Sequence, residues 1–252
     1  MAAPDLLSAQ ASQKRYQRER VQGETIVAGS EWAWGWSGPS GTIRAERRAK
    51  FLIERAGLKP GVKCLELGCG TGEFTRRLLA SDCQLNAIEL SEATAQRCRE
   101  AVSNRANIIV GNIETGEGLA GMEFDAIVGV SVLHHVNMPL CFANTFSKLR
   151  SGGRFAFSEP NIVNPQVWAE RRISFIRRIR HVLEHETAFR ATQLRKMFEE
   201  AGLVVEVSEP YEFLHPWTPR WLIRAVTGME PLLERTLLRA AAGSIRIAGY
   251  RK

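Results

Sequence analysis

Cys64-Leu65-Glu66-Leu67-Gly68-Cys69-Gly70-Thr71-Gly72-Glu73-Phe74 reads as the end of a buried strand, a glycine-rich turn and the first residues of a helix continuing through Thr75, Leu78 and Leu79. Glycine at alternating positions lets the chain bend with positive φ and removes the Cβ atoms that would hold a ligand away from the main chain. The exposed N–H groups and the positive end of the following helix favour an anionic ligand group. A dinucleotide turn would carry Gly-x-Gly-x-x-Gly or Ala. Here Glu73 holds the last position and the third glycine arrives one residue early, at Gly72, which disfavours a nicotinamide dinucleotide.

Outward from that turn, the chain alternates between strand and helix. A helix is expected from Thr42 to Ala56, closed by Gly57, and Lys59-Pro60-Gly61 turns the chain into the first strand. The second strand, Gln84 to Ile88, ends in Glu89, which lies 21 residues after Gly68. Parallel topology places such an acid beside the glycine turn, where a carboxylate can accept both hydroxyls of a ribose. Ser91 caps the next helix, running to about Asn104, and Asn107 to Val110 forms a third strand ending at Asn112 and Ile113. Phe124 to Val130 is apolar enough for a strand covered on both faces, and it leads into Ser131-Val132-Leu133-His134-His135. A helix from Pro139 to Leu149, the turn Ser151-Gly152-Gly153 and strand Phe155 to Ser158 follow, ending at Glu159. This alternation predicts a parallel sheet with helices on both faces. After a helix from Gln193 to Ala201, Leu203 to Val207 reads as strand six and Ser244 to Tyr250 as an edge strand seven.

Glu-Leu-Gly-Cys-Gly-Thr-Gly, the acid Glu89, Val-Leu-His-His after strand four and Gly-Gly-Arg-Phe before strand five together resemble the class I S-adenosylmethionine-dependent methyltransferases of the small-molecule type, similar to the ubiquinone and menaquinone biosynthesis group. The resemblance covers about residues 60–160. It implies a Rossmann-like α/β fold with seven strands, the last two an antiparallel pair. It also implies S-adenosyl-L-methionine as cofactor. Gly68, Cys69, Gly70 and Gly72 would lie against the methionine portion and adenosine, Glu66 would help hold the amino group, and Glu89 would take the ribose. Leu90 and Ile113 would pack the adenine, Asn112 would read its edge in place of the family's usual Asp, and Ser131 would face the methionine end. His134, His135 and Glu159 are the candidates for a general base, which an oxygen, nitrogen or activated carbon acceptor requires. The two adjacent histidines are expected to point in different directions, and no metal site is expected.

Residues 1–57 are expected to form an N-terminal helical arm and cap, and 58–252 the methyltransferase domain, with 161–190 and 211–240 as lids over the substrate. The arm holds Trp32, Trp34 and Trp36, three of the six tryptophans. Such rings either pack the arm onto the domain or line the ligand pocket, and Trp36 is carried forward as a cofactor contact. In the first lid, Phe175, Ile176, Ile179, Val182 and Leu183 share one helical face, with Arg171, Arg177 and Arg178 opposite. That face is either the inner side of an ordinary lid or a contact for an anionic membrane or lipid-linked substrate.

A net charge of +7 is modest for a soluble enzyme, and no nucleic-acid module is evident. The Asn/Asp-Pro-Pro-aromatic motif of exocyclic-amine methyltransferases is absent where Ser131-Val132-Leu133-His134 stands. Five scattered cysteines without a Cys-x-x-Cys pair suit a reducing compartment. With no leader-like or bilayer-spanning run in evidence, the expected location is the cytoplasm. The function expected is methyl transfer to a small molecule, lipid-linked or a secondary metabolite. RNA or protein methylation, or a non-catalytic binding protein that kept the fold, are the alternatives; oligomeric state is left open.

Overall fold

The protein is described from a computed structural model, which covers residues 6–30, 35–179, 183 and 186–252. Trp32 and Trp34 lie outside the described residues, as do Val182 and the side chain of Ile179. Helices α1 (Leu6–Thr25) and α2 (Pro39–Ala56) precede β1 (Lys63–Leu67), after which come α3 (Thr75–Leu78), β2 (Gln84–Glu89), α4 (Glu92–Val102), β3 (Asn107–Val110) and β4 (Phe124–Val130). Then follow α5 (Met138–Asn144), β5 (Leu149–Pro160), α6 (Pro165–Arg172), α7 (Ser174–Ile179), α8 (Ala191–Glu200), β6 (Leu203–Tyr211), α9 (Arg220–Leu233) and β7 (Ser244–Arg251).

The sheet order is β3-β2-β1-β4-β5-β7-β6. Because β1 pairs with β2 on one side and β4 on the other, the chain reverses its direction of winding there, and a crevice opens beyond the strand ends. Register brings the ends together: Leu67 stands opposite both Ile88 and Gly129. The next residues, Gly68, Glu89 and Val130, therefore emerge at one level. Gly68 N–H donates to Ile88 O at 2.8 Å, continuing the ladder one residue past the strand.

Side-chain alternation divides the core between the two faces. Leu65, Leu67, Phe155, Phe157, Ile245 and Ile247 pack on one face with Phe146 and Phe198, whereas Cys64, Ala156 and Ala248 face α2 and α3 on the other. The small residues on the second face let helices approach closely. Phe198, on α8, has ring centroids 4.8 Å from Phe155, 5.1 Å from Phe142 and 5.4 Å from Phe146.

Several elements depart from expectation. Strand seven is interior, antiparallel to both β5 and β6, and β6 is the edge. Its alternation of polar residues reflects pairing along that partner: Arg246 Nε donates to Glu209 Oε1 at 2.7 Å. Helix α4 ends early because Ser103 and Asn104 adopt left-handed φ of 50° and 61°. The helix expected through Leu149 stops at Asn144 and finishes as a 3-10 turn, Phe146–Lys148. Rather than one lid helix, α6 and α7 are separated at Ile173. Pro231 lies within the last turn of α9, which continues to Leu233 without an N–H at that position. No helix among the described residues is long and apolar enough to cross a membrane.

Truncating Phe198 to Ala removes the ring on which this aromatic cluster closes. The expected cost is about 3–5 kcal/mol, read as a lower urea midpoint with an unchanged slope. A loss below about 1 kcal/mol would mean that the cluster collapses around the cavity without penalty.

Candidate active site

At the turn after β1, Gly68, Gly70 and Gly72 all take positive φ, at 64°, 53° and 92°. A Cβ on Gly68 would fall 2.7 Å from Val132 Cγ2, so the turn fits beneath the loop after β4 only as glycine. Glu89 faces it. Its Oε2 accepts the Gly70 N–H at 2.9 Å, and its Oε1 accepts those of Leu90 and Ser91 at 2.9 and 3.1 Å. Burial raises the pKa of Glu89, and these three donors work in the opposite direction by favouring the charged form.

The turn and Glu89 border a cavity of about 330 Å³. Of the eleven residues expected to hold a cofactor, Trp36, Gly68, Cys69, Gly70, Glu89, Leu90, Asn112, Ile113 and Ser131 line it, and so do His134 and His135. Glu66 and Gly72 do not. Glu66 is an even-numbered position of β1 and so shares Cys64's face, buried among groups that include Thr75 and Cys98. Its Oε2 has no hydrogen-bond partner, and burial raises its pKa to about 8, which keeps the carboxyl protonated and neutral at pH 7. Gly72 instead packs against α4, where a Cβ would meet Cys98 Sγ at 3.2 Å. Glu159 lies behind the cavity wall, fully buried.

The loop after β4 is built on Glu159. Ser131 turns it with a φ of 53° while donating its N–H to Ser158 O at 2.8 Å. Glu159 Oε1 then accepts the N–H groups of Val132 and Leu133 at 3.0 and 2.9 Å. Its Oε2 lies 2.8 Å from His134 Nδ1. Burial lifts Glu159 to about 7 against those backbone donors. Burial, with His135 and Arg171 nearby, holds His134 well below the usual imidazole range, so that ring is neutral at pH 7. Two backbone donors on Glu159 favour its carboxylate form, and its hydrogen bond with His134 Nδ1 fixes the ring's orientation whichever partner holds the proton. Nε2 lies 3.8 Å from Glu186 Oε2.

Contrary to expectation, the two histidines do not diverge. A 3-10 turn, Leu133–His135, stacks their rings 4.1 Å apart. Ligand-type atoms of His134, His135 and Glu186 consequently lie within 4.8 Å of one another. This cluster carries its own countercharges, since Arg171 Nη1 is 3.3 Å from Glu186 and His135 Nδ1 is 3.0 Å from Glu19.

A second set of lining residues comes from α1. Arg15, Tyr16, Glu19, Gln22 and Gly23 recur at helical spacing and face the cavity together with Ile26, just past the helix end. Arg15 donates to both oxygens of Glu114, at 2.5 and 2.6 Å, and to His135 O at 2.8 Å. Tyr16 Oη donates to Glu114 Oε2 at 3.0 Å. Gly23 is the close approach: a Cβ there would stand 2.7 Å from Ser91 Oγ. These residues escape a sequence reading because α1 has no apolar stripe and is held by ion pairs. A glycine within a helix, four positions after Glu19 and eight after Arg15, is the one available signal.

A family model described as a methyltransferase domain matches residues 42–207. Squalene methyltransferase 1 of Botryococcus braunii is 29% identical over 154 residues, 53% of this chain and 39% of that protein, so the chain spans about two fifths of that relative. Ubiquinone biosynthesis O-methyltransferase of Idiomarina loihiensis is 24% identical over 207 residues, 76% of this chain and 84% of that protein. In fold, the chain is similar to the N-methyltransferase NodS of Bradyrhizobium japonicum in complex with S-adenosylhomocysteine, with a TM-score of 0.62 and 15% identity over 93% of this chain and 98% of that one.

His135 makes the docking of α1 pH-dependent. Burial alone would lower its pKa, but Glu19 and Glu186 outweigh burial and raise it to about 9. A raised pKa means the stabilisation is complete below the unfolded value, about 6.5, and disappears as pH rises through about 9. His135→Gln should therefore be less stable than the natural protein by about 1–3 kcal/mol near pH 6, with the difference in thermal midpoint closing by pH 10. A constant difference across that range would show that His135 is not charged in the folded protein.

Proposed function

The chain belongs to the class I S-adenosylmethionine-dependent methyltransferases, and from that premise we propose that it transfers the cofactor's methyl group to a small-molecule acceptor. The observation that carries this reading is the apposition of Gly70 and Glu89 at the mouth of a cavity large enough for a ligand. The donor set fits a nucleoside. Glu89 retains acceptor capacity for vicinal hydroxyls, Leu90 and Ile113 supply aliphatic surface for a base, and Asn112 brings an amide to the cavity wall. Asn112 Oδ1 accepts the Glu114 N–H at 2.9 Å and the side chain also hydrogen-bonds Tyr16, so the amide is held at the cavity wall by both.

When bound, S-adenosylmethionine supplies an electrophilic methyl group, and the remaining work belongs to the chain. Helix α1 closes the cavity against water through Arg15 and Tyr16. His134 Nε2 is the proposed proton acceptor for an acceptor nucleophile, oriented through Nδ1 by Glu159, with Glu159 positioning rather than touching substrate. His135, charged at neutral pH, is a fastener for α1 and not a base.

The acceptor is proposed to be lipophilic, reached through the segments 161–190 and 211–240 acting as lids. Their outer surface is apolar and basic. Trp168 (50% exposed), Phe175 (70%), Trp221 (80%), Leu232 (65%) and Leu237 (96%) protrude there. Exposed Arg172, Arg178, Arg220, Arg224 and Arg235 accompany them, whereas Glu230 is turned inward to hold the N–H groups of Phe213 and Leu214. Exposed indoles and leucines among arginines suit the interface of an anionic bilayer. The names of the squalene and ubiquinone relatives agree with a greasy acceptor.

S-adenosylhomocysteine should bind in calorimetric titration, and Glu89→Gln should weaken it about tenfold or more. Absence of binding to the natural protein would end the methyltransferase reading for this chain. In co-sedimentation, vesicles containing phosphatidylglycerol should retain the protein and pure phosphatidylcholine vesicles should not, with Trp221→Ser/Leu237→Ser reducing retention severalfold. Equal recovery with both vesicle types would remove the anionic membrane from the proposal.

A further inference from the structure

Beside the first cavity lies a second, of about 230 Å³. The two share Trp36, Ser131, Pro160, Glu170 and Arg171 in their walls, so they are adjoining compartments of one cleft. The second is also lined by Arg44 and Arg48, successive inward positions of α2, separated by one turn. Both guanidinium carbons lie 4.9 Å from the ring centre of Trp36. Between them sits Glu212, whose Oε2 accepts from Arg44 Nε at 2.9 Å and from Arg48 Nη2 at 2.5 Å. Arg48 Nη2 also donates to Ser244 Oγ at 2.6 Å.

This buried cluster is incomplete in two respects. Two arginines hydrogen-bond to one carboxylate, and the other acid acting on Arg48, Glu159, does so without a hydrogen bond, in a region where Arg44 is 9% and Arg48 2% exposed. Buried charges are normally paired, and this pairing is thin. The hydrogen bonding is unfinished as well: Arg44 Nη1 and Arg48 Nε have no acceptor, and Glu212 Oε1 has no donor. Glu212 itself is held in this place at a left-handed φ of 71°, with its N–H given to Glu234 Oε1 at 3.0 Å. A non-glycine residue in that region is strained, so the surroundings impose its position.

We propose that the second cavity anchors the methyl acceptor and that its Trp36–Arg44–Arg48 wall takes an oxyanion carried by that acceptor, a carboxylate or a phosphate monoester. Guanidinium groups match the planar or tetrahedral oxygens of either. The arrangement sets the reactive end of the acceptor toward Ser131 and the first cavity. Glu212 Oε1 remains able to accept from a hydroxyl on the anion or its carrier. The inference rests on the reading of the first cavity as the cofactor's.

The test is calorimetric titration of the full chain with benzoate, phenyl phosphate and uncharged phenol, with and without saturating S-adenosylhomocysteine. At least one of the anions should bind tenfold or more tightly than phenol, and the tighter of the two identifies the oxyanion. Arg44→Gln should remove that preference while leaving S-adenosylhomocysteine affinity within twofold, and Arg172→Gln, on the outer surface, should preserve it. Anions that bind no better than phenol, or a preference lost with Arg172→Gln and kept with Arg44→Gln, would overturn the proposal. Should Arg44→Gln fail to fold, the comparison of anions with phenol on the natural protein decides alone. Failure of S-adenosylhomocysteine to bind would fell the methyltransferase reading, while the titrations without it would still decide the anion site.

Discussion

A single carboxylate fastens the site together. Glu89 spans from the end of β2 to the turn after β1, taking one N–H from Gly70 and two from its own strand end. Parallel strands in this order deliver their C-terminal ends to a common edge, but only a group reaching across that edge converts two loops into one surface. The three backbone donors oppose the burial that raises this carboxyl's pKa, and the glycines leave room for a ligand to approach it. Everything else in the cleft is arranged around that pair of strand ends.

Glu159 plays a corresponding part at β4 and β5. By accepting two N–H groups on one oxygen and contacting His134 on the other, it shapes the loop and fixes the orientation of the imidazole in one stroke. Adjacent histidines thereby acquire opposite characters. His134 is desolvated and neutral, whereas His135 faces Glu19 and Glu186 and is charged. Two identical side chains next to each other in sequence differ in chemistry because a 3-10 turn shows them different neighbours.

Helix α1 and the arginine pair of α2 illustrate how polar contacts assemble a cleft in place of apolar ones. Glu114 receives Arg15, Tyr16 and the N–H of Asn137, so the N-terminal helix docks by filling the coordination of one buried acid. Such contacts are directional and individually breakable, which suits a cover that must admit a ligand. Around Arg44, Glu212 and Arg48 the same economy leaves buried donors to spare, in residues that line the second cavity.

Local pattern determined much of this protein. Glycine spacing, continuous apolar strands and the acid 21 residues after Gly68 suffice for the parallel sheet and for the meeting of Glu89 with the glycine turn, because these depend on short-range backbone preferences and on period, whereas most of the first cavity's lining comes through the family resemblance and the place of strand seven from neither. The facing of Glu66 was open to the same alternation rule, yet its role implied by resemblance placed it at the ligand, whereas β1 turns it to the helical side. Tertiary structure alone decided which distant charges meet: Arg15 with Glu114, His135 with Glu19, and Arg48 with Glu212. Those pairs join residues 99, 116 and 164 positions apart, and no local periodicity encodes a partner at that distance. Ion pairing is blind to sequence separation, so it becomes visible only when the sheet has brought the ends of its strands together.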